Sequence, residues 1–212
     1  LAFNLWASDT LTQSYTASKF PVPYFVAQLS FSAEQLKGWY AALQAMGTFD
    51  VYVRTQHIDS LFILSTLMLH GGVLLLISRL FAAGSRGRKW MVIAALVSAI
   101  APISDQLENL VSYWMLANPV DFAAGWAYVY SSFAATKFAF FVFAYVVAPL
   151  GLLVGLVNLG LRMRRVPDAE LRLLRSFEFA GGRGGMAVQF SVAGPAAGRA
   201  EQRSGPDGRF EF

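Results

Sequence analysis

Ser104-Asp105-Gln106-Leu107-Glu108-Asn109-Leu110 is the stretch on which the fold turns, because it lies inside Trp90 to Leu116, a segment otherwise apolar enough to cross a membrane. Offsets of three and four residues fall on one helix face, so Asp105, Glu108 and Asn109 project together, with Ser112 one turn further on. Each ionisable group within a span costs roughly 2.5–3.5 kcal/mol on insertion scales, and such groups face a bundle interior or a wet cavity. The stripe is therefore expected to face protein, water or a ligand rather than lipid.

Composition agrees with a membrane reading. The chain is 56% hydrophobic and 15% aromatic, with 14% charged residues, against about 25% in soluble domains. Cysteine is absent, which excludes disulfides, thiolate nucleophiles and cysteine-ligated metals. The net charge of +4 does not point to nucleic acid, since Arg and Lys gather beside the apolar spans, where charge bias sets orientation. The chain opens at Leu1, and Leu1 to Leu5 is expected to be the end of a truncated first span or a signal-peptide remnant.

Outward from the stripe, residues 6 to 31 are polar and aromatic without a sustained period, and they read as a loop. Ser32 with Gln35 makes a capping box and Phe31 with Leu36 a hydrophobic staple, so a helix starts there. Leu36, Trp39, Tyr40 and Leu43 give it an apolar stripe, and Gly47 ends it. Being too short to span, it is expected to lie on the membrane surface or cap the bundle. Ser60 to Ser78 carries no formal charge and is a span, with Tyr52 to Ile58 extending it. Arg79, Arg86, Arg88 and Lys89 place the next connector in the cytoplasm.

The following helix contains Pro102, which frees the carbonyl of Ser98 and predicts a kink one turn before Asp105. Asn118-Pro119 makes a turn. The last helix begins between Phe122 and Ser131 and runs to Leu161, with Lys137 its only charge, before Arg162, Arg164 and Arg165 on the cytoplasmic side. Gly151 and Gly155 form a Gly-x-x-x-Gly pair suited to close helix approach, or are small residues of any crowded span. Pro167 to Phe177 reads as a short basic amphipathic helix, and the chain from Gly181 as disordered.

Counting inward at 1.5 Å per residue, Asp105 lies roughly 24 Å and Glu108 roughly 28 Å from Lys89, and Lys137 roughly 37 Å from Arg162. Asp59 opens its span at a similar depth, so Asp59, Asp105, Glu108 and Lys137 are expected to converge near the outer leaflet. Three acids against one base leave surplus negative charge, which invites a proton, a cation or a basic ligand group. Three readings stay open: interhelical hydrogen-bond glue, a pocket for a lipid headgroup, ion or small substrate, and an acid–base pair. His70, with Thr66 a turn before it, reads as hydrogen-bonded to a neighbouring helix. His57 with Asp59 and Glu108 matches no zinc spacing, so no metal or cofactor is expected.

The residues Asp105-Gln106-Leu107-Glu108-Asn109 match an Asp-x-x-Glu-Asn motif, with Met46-Gly47, Tyr52, Asp59, Phe62, Ser132, Thr136 and Lys137 as further matching positions. On these the chain resembles a group of uncharacterised bacterial integral membrane proteins of about four helices, over residues 32 to 162. The resemblance implies a fold and a site but no activity, and in that group a first span precedes the outer loop.

The sequence thus predicts an all-α integral membrane helical bundle in a bacterial inner (plasma) membrane, with the C-terminus cytoplasmic. Residues 1–58 are expected to be an extracytoplasmic loop with an amphipathic helix, 59–165 the bundle, with spans at 59–80, 90–116 and 131–161, and 166–212 a cytoplasmic tail. Three spans lie in this chain and a fourth is expected in the intact protein. The expected function is structural, or lipid- or partner-binding, through the cluster Asp59, Asp105, Glu108, Asn109 and Lys137, with His70, His57 and Ser112 as secondary candidates. The alternative is a small transporter or intramembrane enzyme. Expected partners are the bilayer and, at the cluster, a lipid headgroup or partner helix, and not nucleic acid.

Overall fold

The structure, a computed structural model, describes residues 1–180, excepting the side chains from 165 onward. Seven helices and no strands are found among the described residues: α1 (Ala2–Ser18), α2 (Tyr24–Gln28), α3 (Ala33–Ala45), α4 (Phe49–Ser78), α5 (Arg86–Ser98), α6 (Ile100–Ala117) and α7 (Gly125–Ala180). The chain divides into Leu1–Val166, which holds the bundle, and Pro167–Phe212. Three stretches are long and apolar enough to cross a membrane: Phe49–Ser78, Arg86–Ala117 and Gly125–Arg164. The helix expected over 167–177 lies within α7, and the tail expected to be disordered from Gly181 lies outside the described residues.

The region expected to be a loop over residues 6 to 31 is instead mostly helical, and the polar composition that suggested a loop explains how. Hydroxyls of Thr10, Thr12 and Thr16 each donate to the carbonyl four residues back at 2.8 Å, so they are satisfied within the helix. Gln13 and Asp9 pair with each other on the exposed side, and Asn4 and Ser14 face α4. Asn4 Nδ2 donates to Ser65 Oγ at 3.0 Å and Thr66 Oγ1 at 3.1 Å, and Ser14 Oγ lies 2.7 Å from Thr55 Oγ1. Since Thr55 gives its own proton to the Val51 carbonyl, Ser14 is the donor of that pair. Low residues of α1 meet high residues of α4, so the two run antiparallel, and α1 forms a fourth rod from the middle of α4 to its start. The expectation of a 1–58 loop is corrected accordingly, because hydropathy cannot register a helix whose polar face is met by a complementary one.

The other boundaries move less. Asp50 and the polar turns after it join the apolar part of the first span, so α4 begins ten residues before the expected 59. The second span is broken where Pro102 predicts it: Ala99 N–H donates to Leu96 O at 3.2 Å, a tightened turn, and α6 restarts with Ile103 N–H on Ala99 O. Ser32 caps α3 by accepting from Gln35 N–H at 3.3 Å. Phe31, the expected staple residue, has φ 50°, donates its N–H to Ser131 Oγ at 3.1 Å and sets its ring beside Tyr128. Gly47, at φ 66°, turns the chain from α3 into α4 as expected.

Two apolar clusters hold the rods. In one, Leu36, Tyr40 and Leu43 of α3 are fully buried with Tyr52, Val111, Met115, Leu116, Phe122 and Tyr130, so α3 caps the bundle rather than floating on a membrane surface. In the other, at the basic end, Leu74, Ile77, Phe81, Met91 and Ala95 pack with Leu80, Val147 and Ala148. Gly151 and Gly155 serve this second cluster. A Cβ on Gly151 would sit 2.7 Å from the Met91 Cε, and one on Gly155 would sit 2.9 Å from the Leu80 Cβ and Cδ1. The pair therefore seats the end of α4, the connector after it and α5 within the same chain. Gly155→Leu is expected to cost about 1–3 kcal/mol by overpacking, read as a lowered midpoint of thermal unfolding in detergent. A wild-type midpoint would show that Leu80 yields without strain.

Candidate functional site: a buried acid–lysine cluster

Below the Pro102 break, α6 presents Asp105 and Glu108 one turn apart to α7, which supplies Lys137. The Lys137 Nζ lies 2.7 Å from Asp105 Oδ1 and 2.6 Å from Glu108 Oε2, and the three side chains are 4%, 4% and 1% exposed. At Asp105 the ammonium donates a charge-assisted hydrogen bond. At Glu108 the contact is an ion pair by distance whose angles fall outside hydrogen-bond geometry, so both Glu108 oxygens lack a hydrogen bond.

The third helix joins through an amide. Asn109 Nδ2 donates to Asp59 Oδ2 of α4 at 2.8 Å. Asn109 is buried and Asp59 half-buried, and the charges of Asp105 and Lys137 both act on Asp59. All five residues expected from the sequence are thus brought together from α4, α6 and α7.

The secondary candidates separate. Ser112 is fully buried one turn above Glu108, and its Oγ has no partner. His57 is exposed, stacks on Tyr113 at 5.0 Å and shares a 3.1 Å hydrogen bond with its hydroxyl through Nδ1, outside the cluster. His70 does not make the expected interhelical hydrogen bond through Nδ1: that atom is buried without a partner, and the ring lies edge-on to Phe141 and Tyr145. Among the described residues no three His, Cys, Asp or Glu side chains are placed to hold a metal ion together.

The roof of the site was missed by sequence reasoning. Tyr40, Tyr52 and Tyr130 are buried above the carboxylates, and the charge of Glu108 reaches all three hydroxyls. Burial, and after it the charge of Glu108, pushes the Tyr40 hydroxyl of α3 well above the usual phenol range, so it stays protonated. Its Oη nevertheless has no hydrogen-bond partner. Tyr40 was legible only as part of an apolar stripe.

Toward the basic end the surroundings become dry. The Leu74, Ile77, Phe81, Met91 and Ala95 cluster lies there, and the buried hydroxyls of Ser78 and Ser98 are spent on carbonyls of their own helices, Leu75 at 2.6 Å and Ala95 at 2.8 Å. The cluster therefore sits between an aromatic roof and an apolar floor. Chemically it holds opposed charges in fixed register. No family model, no curated protein and no solved structure matches the chain.

Proposed function

We propose that this chain is a non-enzymatic plasma-membrane protein, its basic connector and C-terminus on the cytoplasmic side, in which the acid–lysine cluster locks the outer half of the bundle. The observation that carries this reading is the single ammonium of Lys137 held within 2.7 Å of two carboxylates, all three groups nearly sealed from solvent. A general acid or base must reach a substrate proton, whereas these groups are committed to one another. Asp59 is the half-buried member, so a lipid headgroup or a partner helix meets the cluster from its side. Orientation follows from the Arg-Lys groups at 79–89 and 162–165, which favour the cytoplasm.

The surplus of carboxylates favours a second reading, a small transporter handling protons or cations. The two part in proteoliposomes. A lock sealed by an apolar floor is expected to give no proton or sodium flux above that of protein-free vesicles under an imposed gradient. Flux that disappears in Glu108→Gln would establish the transporter instead.

A further inference from the structure

We propose that Glu108, Ser112 and Tyr40 form a binding site for one small monovalent cation of the sodium type, held through Glu108 Oε1 while Oε2 stays with Lys137. The first argument is charge. Asp105 and Glu108 share one ammonium, which leaves the triad one negative charge in excess in a buried setting where an unpaired charge is costly. A cation beyond Glu108 completes an alternating row: Asp105 negative, Lys137 positive, Glu108 negative, cation positive.

The second argument is an inventory of oxygens. Glu108 Oε1, Ser112 Oγ and Tyr40 Oη are each buried without a partner, and all three residues are 0% exposed. Glu108 and Ser112 lie four residues apart on one side of α6, and Tyr40 of α3 shares a packed cluster with Val111 and Met115 of that helix, with the charge of Glu108 acting on its hydroxyl. Buried polar groups without partners are rare in folded proteins and point to something that fills the gap. A proton on Glu108 supplies one donor and satisfies one neighbour. A cation engages all three oxygens together.

The donor set fixes the class. Oxygen-only ligands suit hard ions, and a divalent ion such as calcium takes six to eight oxygens, usually with several carboxylates. One carboxylate and two hydroxyls match a single positive charge. Because Tyr40 belongs to α3 and the other two to α6, the bound ion ties the cap to the bundle.

The test uses the full chain in detergent, with thermal unfolding followed in sodium chloride or choline chloride at equal ionic strength and pH. Sodium is expected to raise the midpoint saturably and choline, too large for the site, to leave it unmoved. Ser112→Ala removes one neutral ligand and is expected to raise the half-saturating sodium concentration about tenfold, while Glu108→Gln abolishes the response. If Glu108→Gln does not fold, Ser112→Ala alone decides. Identical midpoints in the two salts overturn the proposal, as does a midpoint that follows pH and ignores sodium, which marks a protonated Glu108. An unaltered sodium dependence in Ser112→Ala overturns the assigned ligands. A protonated Glu108 would also take away the Glu108 half of the ionic lock, whereas the other outcomes leave the lock standing, and its own test is the removal of Lys137.

Discussion

Lys137→Met is expected to destabilise the bundle by about 3–5 kcal/mol, because it leaves two buried carboxylates facing each other with no compensating charge. The size of the effect comes from the uncompensated charges left behind rather than from the attraction removed. Asp105 and Glu108 are 3% and 0% exposed, so water cannot replace the ammonium without opening the helices. A variant in which all three charges are neutralised, Asp105→Asn with Glu108→Gln and Lys137→Met, is expected to recover most of that loss, since neutral side chains of similar volume carry a far smaller desolvation penalty than unpaired charges. Single substitutions thus look worse than the combined one, a non-additivity diagnostic of one coupled unit. Equilibrium unfolding in mixed detergent, read by the fluorescence of the five tryptophans, measures both. A Lys137→Met protein as stable as the parent would mean that the carboxylates are already neutral and that the ammonium locks nothing.

That coupling was visible in the sequence because it rests on two regular quantities, the turn and rise of a helix. Asp105, Glu108 and Asn109 share a face through spacing alone, and counting residues from the basic ends put Lys137 toward the same outer half. The Pro102 break and the Ser32 cap were legible for the same reason, being local. What escaped was set by tertiary pairing. Asn4, Ser14, Thr10, Thr12 and Thr16 look like loop residues because single-chain hydropathy counts their polar atoms as exposed. In the structure each is answered by its own helix or by Ser65, Thr66 and Thr55 of α4. The tyrosine roof was hidden in a different way. Tyr40 lies at helical spacing with Leu36 and Leu43, and nothing in that stripe records that its hydroxyl is buried within reach of the charge of a carboxylate from a helix about seventy residues later.

Tyr40 also carries the second large effect. Tyr40→Ala is expected to cost about 3–5 kcal/mol, the range for deleting a buried aromatic ring. The ring is 0% exposed, with neighbouring ring centroids at 6.4 Å in Phe20, 6.0 Å in Tyr52 and 6.3 Å in Phe122. The loss should be local before it is global, because α3 is held mainly by Leu36, Tyr40 and Leu43 on one cluster, while α4 to α7 keep their own packing. Hydrogen exchange over residues 33–45 is therefore expected to quicken well before the spans unfold, and protease should cut near Gly47 in the variant under conditions where the parent resists. Tyr40→Phe separates packing from chemistry. It retains the ring and deletes a buried hydroxyl that has no hydrogen-bond partner, so in sodium-free medium stability should be unchanged or higher by up to about 1 kcal/mol. If Tyr40→Phe instead behaves like Tyr40→Ala, the hydroxyl rather than the ring holds α3 down, and the roof over Glu108 is a polar contact in its own right.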